Sequence, residues 1–280
     1  MKVLFIGRGK VARALQAQLR KTDHPSRLIP SRGRLPDLGD DVDLVVLCVR
    51  DDALDALVGR LVAQRPSRAA IVHVAGGRGP EVLSGLAGRC AGVARAHPLV
   101  SFASARVHPN LDGALWMING DRVAVLRARR LARALGGVPR SWPGVAPASY
   151  HAAAALAANG TAALAAAATR VLVDAGAPPA EVLPAIAVLL RSVVENLQRL
   201  GLPGALTGPI RRGDAGAVAG HRAAMSSQSV EIQELYRWCG LAQLGLAHAL
   251  GEAPPADLAA VERALRPKPR VRPRRNPATR

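Results

Sequence analysis

The chain opens with MKVLFIGRGKVARAL (residues 1–15), an apolar run followed by a glycine-rich turn and a helix-like pattern. Gly7 allows a tight turn after the strand, and Gly9 lets the backbone approach a phosphate closely. Ala12 replaces the third glycine of such turns, where the helix packs on the strand. Because free N–H groups at a helix start attract anions, we predict a dinucleotide site here, with an ordinary strand–turn–helix as the alternative. The predicted pyrophosphate contacts are Gly7, Arg8, Gly9, Lys10 and Val11.

Short apolar runs alternate with helical patterns through the first half of the chain, which is typical of βαβ units and a parallel sheet. The runs are continuously apolar, as expected for strands buried on both faces. From about residue 148 onward, the patterns are helical only and are closed by glycine and proline. We therefore predict an α/β fold, with a Rossmann-type parallel-sheet domain at residues 1–147. An all-helical domain (148–265) and a basic, proline-rich tail (266–280) are expected to follow.

The segment after the second predicted strand indicates which dinucleotide the site prefers. NAD-preferring sites place an acidic residue there to bind the ribose 2′-hydroxyl, but residues 28–34 contain none. Ser31 can hydrogen-bond a 2′-phosphate, and Arg32 or Arg34 can pair with it through two N–H groups. The sequence favours NADP over NAD, with solvated turn arginines as the alternative. Two further cofactor contacts, at the ends of later strands, are predicted at Val49 and Gly76.

The first helix of the second domain carries the candidate proton donor. Reductases of this layout often use a lysine there, but the sequence has no lysine between Lys21 and Lys268. His151 starts this helix, and because histidine titrates near neutral pH we predict it as the donor. Asn159 lies two turns further, about 12 Å along the axis, and is expected to line the same elongated site. The alternative for His151 is a histidine packed at the domain junction.

Three further residues are candidates for binding a substrate. His97 ends a predicted strand and either orients the substrate or hydrogen-bonds a loop carbonyl. Arg211 or Arg212, in the loop LTGPIRRGD (206–214), is predicted to bind a substrate carboxylate, with a purely structural turn as the alternative. No spacing of cysteine and histidine indicates a metal site.

The composition narrows the class of protein. The formal net charge is +18, but aromatic residues make up only 2% of the chain, so platforms for stacking nucleic-acid bases are nearly absent. The excess of arginine instead suits an anionic cofactor and a small anionic substrate. Three widely spaced cysteines favour the reducing cytoplasm. We recognise neither a signal peptide nor an apolar run of membrane-spanning length.

These motifs together resemble a family of bacterial proteins with a Rossmann-like first half and a second half of unknown function. The second half is similar to the helical domain of 6-phosphogluconate dehydrogenase, and related architectures include pyrroline-5-carboxylate reductase and ketopantoate reductase. The resemblance spans about residues 1–265 and rests on GRGKVA (7–12), HVAGG (73–77), AHPLVSF (96–102), YHAAAALAAN (150–159) and LTGPIRRGD (206–214). It implies an NADP-linked reductase that forms a homodimer through its helical domain.

We therefore expect an NADP-dependent oxidoreductase that reduces a small 2-oxo acid, similar to ketopantoate, or an imine. The alternative is a non-catalytic NADP-binding sensor or scaffold. Two features favour that alternative: the missing lysine, and a tail with seven basic residues and no acidic one. Such a tail could contact a partner through its charge.

Overall fold

The computed structural model describes residues 1–39 and 41–266. Its contacts divide the chain into two compact units, of which the first is Met1–Asn159 and the second begins at Gly160. The predicted basic tail (266–280) lies outside the described residues except for Arg266. Each unit is described by itself below.

The first unit contains one seven-stranded sheet. Its strands are β1 (Val3–Ile6), β2 (Ser26–Ile29), β3 (Leu44–Leu47), β4 (Ala70–His73), β5 (Val93–Pro98), β6 (Leu115–Gly120) and β7 (Val138–Arg140). They lie in the order β2-β1-β3-β4-β5-β6-β7. Strands β1 to β5 are parallel to their neighbours, and the chain moves first to one side of β1 and then to the other, as in Rossmann folds.

One end of the sheet departs from the predicted parallel arrangement. Strand β6 pairs antiparallel with β5, and β7 then pairs parallel with β6. A parallel neighbour requires a crossover connection, which is usually a helix. Residues 99–114, which join β5 to β6, form no helix, and the chain instead turns back alongside β5. The predicted parallel sheet is therefore correct for β1–β5 only.

Helices cover both faces of this sheet. They are α1 (Lys10–Leu19), α2 (Leu54–Val62) and α3 (Arg122–Ala134). Helices α1 and α3 pack with Phe5 and Trp116 in one apolar core. On the other face, α2 and a 3-10 helix at Pro80–Leu86 pack with Leu4 and Ile71. Burial on both faces explains why the strands read as continuous apolar runs.

Among the described residues after 147, only helices occur and no strand, in agreement with the predicted helical part. Helix α4 (Pro147–Asp174) starts in the first unit and continues into the second. It is followed by α5 (Pro179–Gly204), α6 (Ala215–Ala224), α7 (Val230–Leu250) and α8 (Pro255–Leu265). Val218, Leu244 and Val261 lie in the core that α6, α7 and α8 share. The side chain of Asp214 caps α6 by accepting the N–H of Ala217 at 2.9 Å.

Helix α4 bears on two of the predictions. The predicted domain boundary, residue 147, is where α4 begins, whereas the division between the compact units falls after Asn159, inside the helix. By length and composition alone, α4 is also apolar enough to cross a membrane, although the sequence pattern indicated no such span. A single helix of this kind is weak evidence, so we assign no membrane span to it.

The turn after β1 depends on Gly7. Its φ angle is 120°, a backbone conformation that residues with side chains rarely adopt. A Cβ atom at Gly7 would overlap the carbonyl oxygen of Cys48, which directly follows β3. The N–H of Gly7 also donates to the carbonyl of Ile29, at the end of β2, at 2.9 Å. The ends of three neighbouring strands therefore meet at this glycine.

We expect Gly7→Ala to lower the free energy of unfolding by about 2–4 kcal/mol, because it adds both backbone strain and a steric overlap. Urea unfolding followed by circular dichroism measures the change. Gly9→Ala is the matched control, since the φ of Gly9 is −74° and a Cβ there would meet no described atom within 4 Å. It should cost no more than about 1 kcal/mol. Equal losses from the two substitutions would contradict the role given to Gly7.

Candidate functional site

The predicted cofactor residues lie at one edge of the sheet. Because β1–β5 are parallel, their carboxyl ends share this edge, and ligands of open α/β sheets bind where the strand order reverses. Gly7 and Gly9 follow β1, Val49 lies two residues after β3, and Gly76 lies three residues after β4. The fold thus brings together residues that are far apart in the sequence.

The start of α1 is open to a phosphate group. Gly9 is the N-cap residue and no side chain caps the helix, so the first N–H groups of α1 are available to a ligand. A Cβ at Gly9 would meet no described atom within 4 Å, which leaves room above the backbone. Arg8 and Lys10 are exposed beside it, and Val11 is half-buried. These residues fit the pyrophosphate of a dinucleotide.

The loop after β2 presents the residues predicted to select the cofactor. Ser31 is half-buried, and Arg32 and Arg34 are exposed. Arg60 of α2 donates to the backbone carbonyls of Ser31 and Gly33, which holds the loop and leaves its side chains outside. A neighbouring cavity of about 630 Å³ has no acidic residue in its described lining. The arginines that line it are Arg8, Arg13, Arg20 and Arg27.

His73 shapes the loop that follows β4. The side chain is fully buried, and its Nε2 lies 3.0 Å from the carbonyl oxygen of Gly79, to which it must donate. Nδ1 then accepts the N–H of Ala75 at 3.2 Å. Burial lowers the pKa of His73 to about 4, so the ring is neutral at neutral pH. Both ring nitrogens therefore serve the backbone of the loop that contains Gly76.

A cleft of about 690 Å³ in the first unit brings three of the predicted substrate residues together. His97, His151 and Asn159 all line it, as expected for an elongated site. Most of the remaining lining is apolar, and none of the described lining residues is Asp, Glu, Lys or Arg. The apolar lining includes Leu99, Val100, Phe102, Trp142 and five alanines of α4.

Gly76 allows both histidines to approach the loop backbone. A Cβ at this position would lie 2.9 Å from Nε2 of His97 and would overlap Nδ1 of His151. The centroids of the two imidazole rings are 6.3 Å apart, and the ring planes are nearly perpendicular. The sequence offered only the approach of a cofactor as the reason for this glycine. The structure adds the close packing of two imidazoles.

The sequence analysis assigns no role to two residues of this site, Tyr150 and Arg95. Tyr150 has only 5% of its surface exposed, and its hydroxyl lies 2.9 Å from Nδ1 of His97. The guanidinium carbon of Arg95 lies 4.5 Å from the centre of the Tyr150 ring. Nη2 of Arg95 also donates to the carbonyl of Gly76 at 2.9 Å. The sequence signal for Arg95 is a charged residue between apolar neighbours, Ala94 and Ala96, in strand β5.

Burial sets the protonation of this group. Burial, assisted by the charge of Arg95, lowers the pKa of His97 to about 3, so its imidazole is neutral at neutral pH. Burial raises the pKa of Tyr150, and the positive charge of Arg95 partly opposes that rise. The phenol is therefore protonated at neutral pH. Burial lowers the pKa of Arg95 as well, while Tyr150 acts in the opposite direction.

The two predicted carboxylate ligands lie in the second unit and differ in their surroundings. Nε and Nη2 of Arg211 donate to the carboxylate of Glu252 at 2.7 and 2.6 Å, and Nη1 donates to the carbonyls of Gly204 and Leu206. All three nitrogens of Arg211 are thus engaged in holding its loop, which favours the structural alternative over the predicted role as a substrate ligand. Arg212 is exposed and makes no side-chain hydrogen bond with the described residues.

The fold and the site together define a Rossmann-like α/β protein with a helical second part. Residues 114–243, just under half of the chain, match the model of a family described as a domain of unknown function (DUF2520). No curated protein matches the chain. In residues 1–39 and 41–266, no group of three or more His, Cys, Asp or Glu side chains could hold a metal ion.

Solved structures share the fold over most of the chain. A protein from Thermotoga maritima is 20% identical and covers 89% of this chain and 99% of its own, with a TM-score of 0.64. The 1-pyrroline-5-carboxylate reductase of Streptococcus pyogenes is 20% identical. The match covers 95% of this chain and 98% of the reductase, with a TM-score of 0.54. A reductive aminase from Aspergillus terreus, in complex with NADPH and ethyl levulinate, is 18% identical. The match covers 94% of this chain and 98% of the aminase, with a TM-score of 0.59. The predicted fold and the resemblance to this group of reductases are confirmed.

We expect His73 to make the protein sensitive to mild acid. Between pH 6.5 and about 4 the unfolded chain binds a proton at His73 that the folded protein does not, so the free energy of unfolding falls as the pH falls. The loss from this one group approaches about 3 kcal/mol and is complete below about pH 4. Urea unfolding at a series of pH values measures it.

His73→Gln should remove this contribution and make the pH dependence of stability between pH 6.5 and 4 shallower, while buried His97 keeps its own contribution of the same sign. His108→Gln, at an exposed histidine, is the control and should leave the slope as in the wild type. If His73→Gln and the wild type lose stability in parallel over this range, His73 does not carry the effect.

Proposed function

We propose that this protein is an NADPH-dependent reductase of small carbonyl compounds or imines. The observation that carries the proposal is the combination, at one sheet edge, of an uncapped helix start after Gly7 and a cleft lined by His97 and His151. The loop that contains Gly76 follows β4 at the same edge and contacts both histidines. The likeness of the fold to pyrroline-5-carboxylate reductase and to a reductive aminase solved with NADPH supports the same reaction class.

The cofactor contacts follow from the residues at this edge. The backbone at Gly7, Arg8, Gly9, Lys10 and Val11 would hold the pyrophosphate. Ser31, Arg32 and Arg34 would bind the 2′-phosphate, which favours NADP over NAD. Val49 and Gly76 would line the path toward the nicotinamide. When bound, NADPH supplies the hydride that reduces the substrate carbon.

The cleft defines the kind of substrate. Its described lining contains no Asp, Glu, Lys or Arg, which suits a substrate with an apolar body and a single carbonyl or imine group. His97 and Asn159 would orient that group, and His151 at the cleft wall would supply or position the proton. A 2-oxo acid similar to ketopantoate also needs a cation for its carboxylate. Of the two arginines predicted to bind that carboxylate, Arg212 has the exposed side chain.

Turnover tests the reaction class directly. We expect the purified protein to oxidise NADPH with at least one member of a panel of 2-oxo acids, neutral ketones and cyclic imines. The double substitution Ser31→Ala/Arg32→Ala should weaken NADPH binding by about 10–100-fold, because it removes charge-assisted hydrogen bonds to the 2′-phosphate. NADH binding should change little. Isothermal titration calorimetry measures both affinities.

Arg68→Ala is the control for this experiment, because Arg68 is exposed and precedes β4, at the opposite end of the strand from the site. It should bind NADPH as the wild type does. NADPH binding without turnover of any panel member would favour a sensor or scaffold instead. An absence of binding at millimolar NADPH would overturn the proposal altogether.

The helical part supports a homodimer as the assembly of this reductase. In α5 only Val182 and Ile186 are buried. Exposed apolar patches of this size usually mark an interface. The large apolar side chains of α5 that remain exposed are Leu183, Val188, Leu189, Val193, Val194, Leu197, Leu200 and Leu202. A cytoplasmic location and the absence of a nucleic-acid partner remain predictions of the sequence.

We expect light scattering after size-exclusion chromatography to give the mass of a dimer. Leu189→Glu/Val193→Glu should shift the protein to a monomer, because it buries two carboxylates in an apolar contact. Val107→Glu changes an exposed apolar residue of the first unit and should leave the mass unchanged. A wild-type monomer at micromolar concentration would rule out a stable dimer.

A further inference from the structure

Arg95 is a buried charge that lacks a carboxylate partner among the described residues. It has 3% of its surface exposed and takes part in none of their ion pairs. Within residues 1–39 and 41–266, its one side-chain hydrogen bond goes from Nη2 to the carbonyl of Gly76, and its buried Nε has no partner. Asp51 and Glu81 act on it only at longer range. Because an uncompensated buried charge is costly, another group near Arg95 must offset part of that cost.

The group that faces the guanidinium is the ring of Tyr150, 4.5 Å away. A neutral phenol ring attracts a cation through its π electrons. A phenolate would attract it more strongly, since its negative charge is spread over the same ring. Arg95 is therefore placed to stabilise the form of Tyr150 that has lost its proton.

His97 complements this arrangement at the hydroxyl. Its neutral ring has Nδ1 at 2.9 Å from the Tyr150 oxygen. In the tautomer with a proton on Nδ1, the imidazole donates to that oxygen and leaves the phenolic proton free for another acceptor. Besides His97 and Tyr150, the titratable group in the described lining of this cleft is His151 of α4, whose ring centroid lies 6.3 Å from that of His97.

We propose that Tyr150 is the catalytic acid of this site, with Arg95 and His97 as positioning residues that stabilise its phenolate. The inference rests on the proposed reductase function and deepens it. The Tyr150 side chain lines the cleft, and so do His97 and His151, whereas Arg95 lies behind the tyrosine ring. His151 is exposed and lies next to Gly76 and Gly77. In this proposal it contacts the substrate without donating the proton.

The proton transfer balances with the reduction. Bound NADPH would supply a hydride, with its two electrons, to the substrate carbon, and the π electron pair of the C=O or C=N bond would move to the heteroatom. That oxygen or nitrogen takes the phenolic proton of Tyr150. After the reaction the Tyr150 phenolate would regain a proton from water. Arg95 and His97 hold the charge in the interval, as donors aimed at a developing anion do.

Kinetics on matched variants test the role of the hydroxyl. Tyr150→Phe keeps the ring on Arg95 and removes only the acidic group, so we expect kcat to fall about 10²–10⁴-fold. The Kd for NADPH should stay within about threefold of the wild type, since the hydroxyl does not serve the cofactor. His151→Asn should raise KM and lower kcat less than tenfold. The reverse pattern, a large loss of kcat in His151→Asn and almost none in Tyr150→Phe, would overturn the proposal.

A titration without substrate or cofactor tests Arg95 separately. The chain has two tyrosines, so Tyr236→Phe leaves Tyr150 as the single site for incorporated 3-fluorotyrosine. Fluorine NMR then follows ionisation of this one phenol, whose fluorine substituent brings the titration into a milder pH range. Arg95→Met and Arg95→Gln should each raise its pKa by at least about one unit, and Arg95→Lys should restore most of the difference.

The two experiments fail in distinguishable ways. If the titration midpoint of Tyr150 stays the same in every folded variant with Met or Gln at position 95, the coupling between Arg95 and Tyr150 is rejected. Circular dichroism identifies a variant that has not folded. If either Arg95→Met or Arg95→Gln fails to fold, the other variant tests the coupling. If the wild type binds NADPH but reduces no substrate, the proposed function fails, while the fluorine titration still decides whether Arg95 stabilises the phenolate.

Discussion

The close approach of Gly7 to the carbonyl of Cys48 is the constraint on which the other contacts depend. It brings the end of β1 against the end of β3, and the hydrogen bond to Ile29 brings in β2. Strands β1 to β5 run in the same direction and in continuous register, so their carboxyl ends lie along one edge. Because the strands end at this edge, three features lie beside it: the helix start of α1, the loop at Gly76 and the ring of His97.

Buried polar side chains hold the loop after β4 from two sides. His73 bonds to the backbone of Ala75 and Gly79, and Arg95 bonds to the carbonyl of Gly76. Buried groups of this kind are costly unless they are hydrogen-bonded, so these contacts restrict where the loop can lie. The same burial keeps His73 and His97 uncharged at neutral pH, with pKa values of about 4 and 3. One low-dielectric environment thus shapes the loop and sets the protonation of the cleft.

The sequence predicted most of the elements, because apolar periodicity and glycine reflect local backbone requirements. It also predicted that His97, His151 and Asn159 would share one site. It missed the reversed direction of β6, which is set by the connection from β5 and not by the strand's own residues. The contact between Arg95 and Tyr150 joins residues 55 positions apart, and the ion pair of Arg211 with Glu252 joins residues 41 positions apart. Such long-range partners leave no periodic trace in a single chain.

The wall that α4 contributes to the cleft consists largely of methyl groups, from Ala153, Ala154, Ala155, Ala157 and Ala158. An alanine can be exchanged for valine, leucine or serine on a helix surface without moving the backbone. Each such exchange would narrow or reshape the room for a ligand by a few atoms, while Tyr150 and His151 at the start of the same helix and His97 on β5 remain in place. This helix therefore gives related chains an easy evolutionary route to accept molecules of different size with the same polar groups.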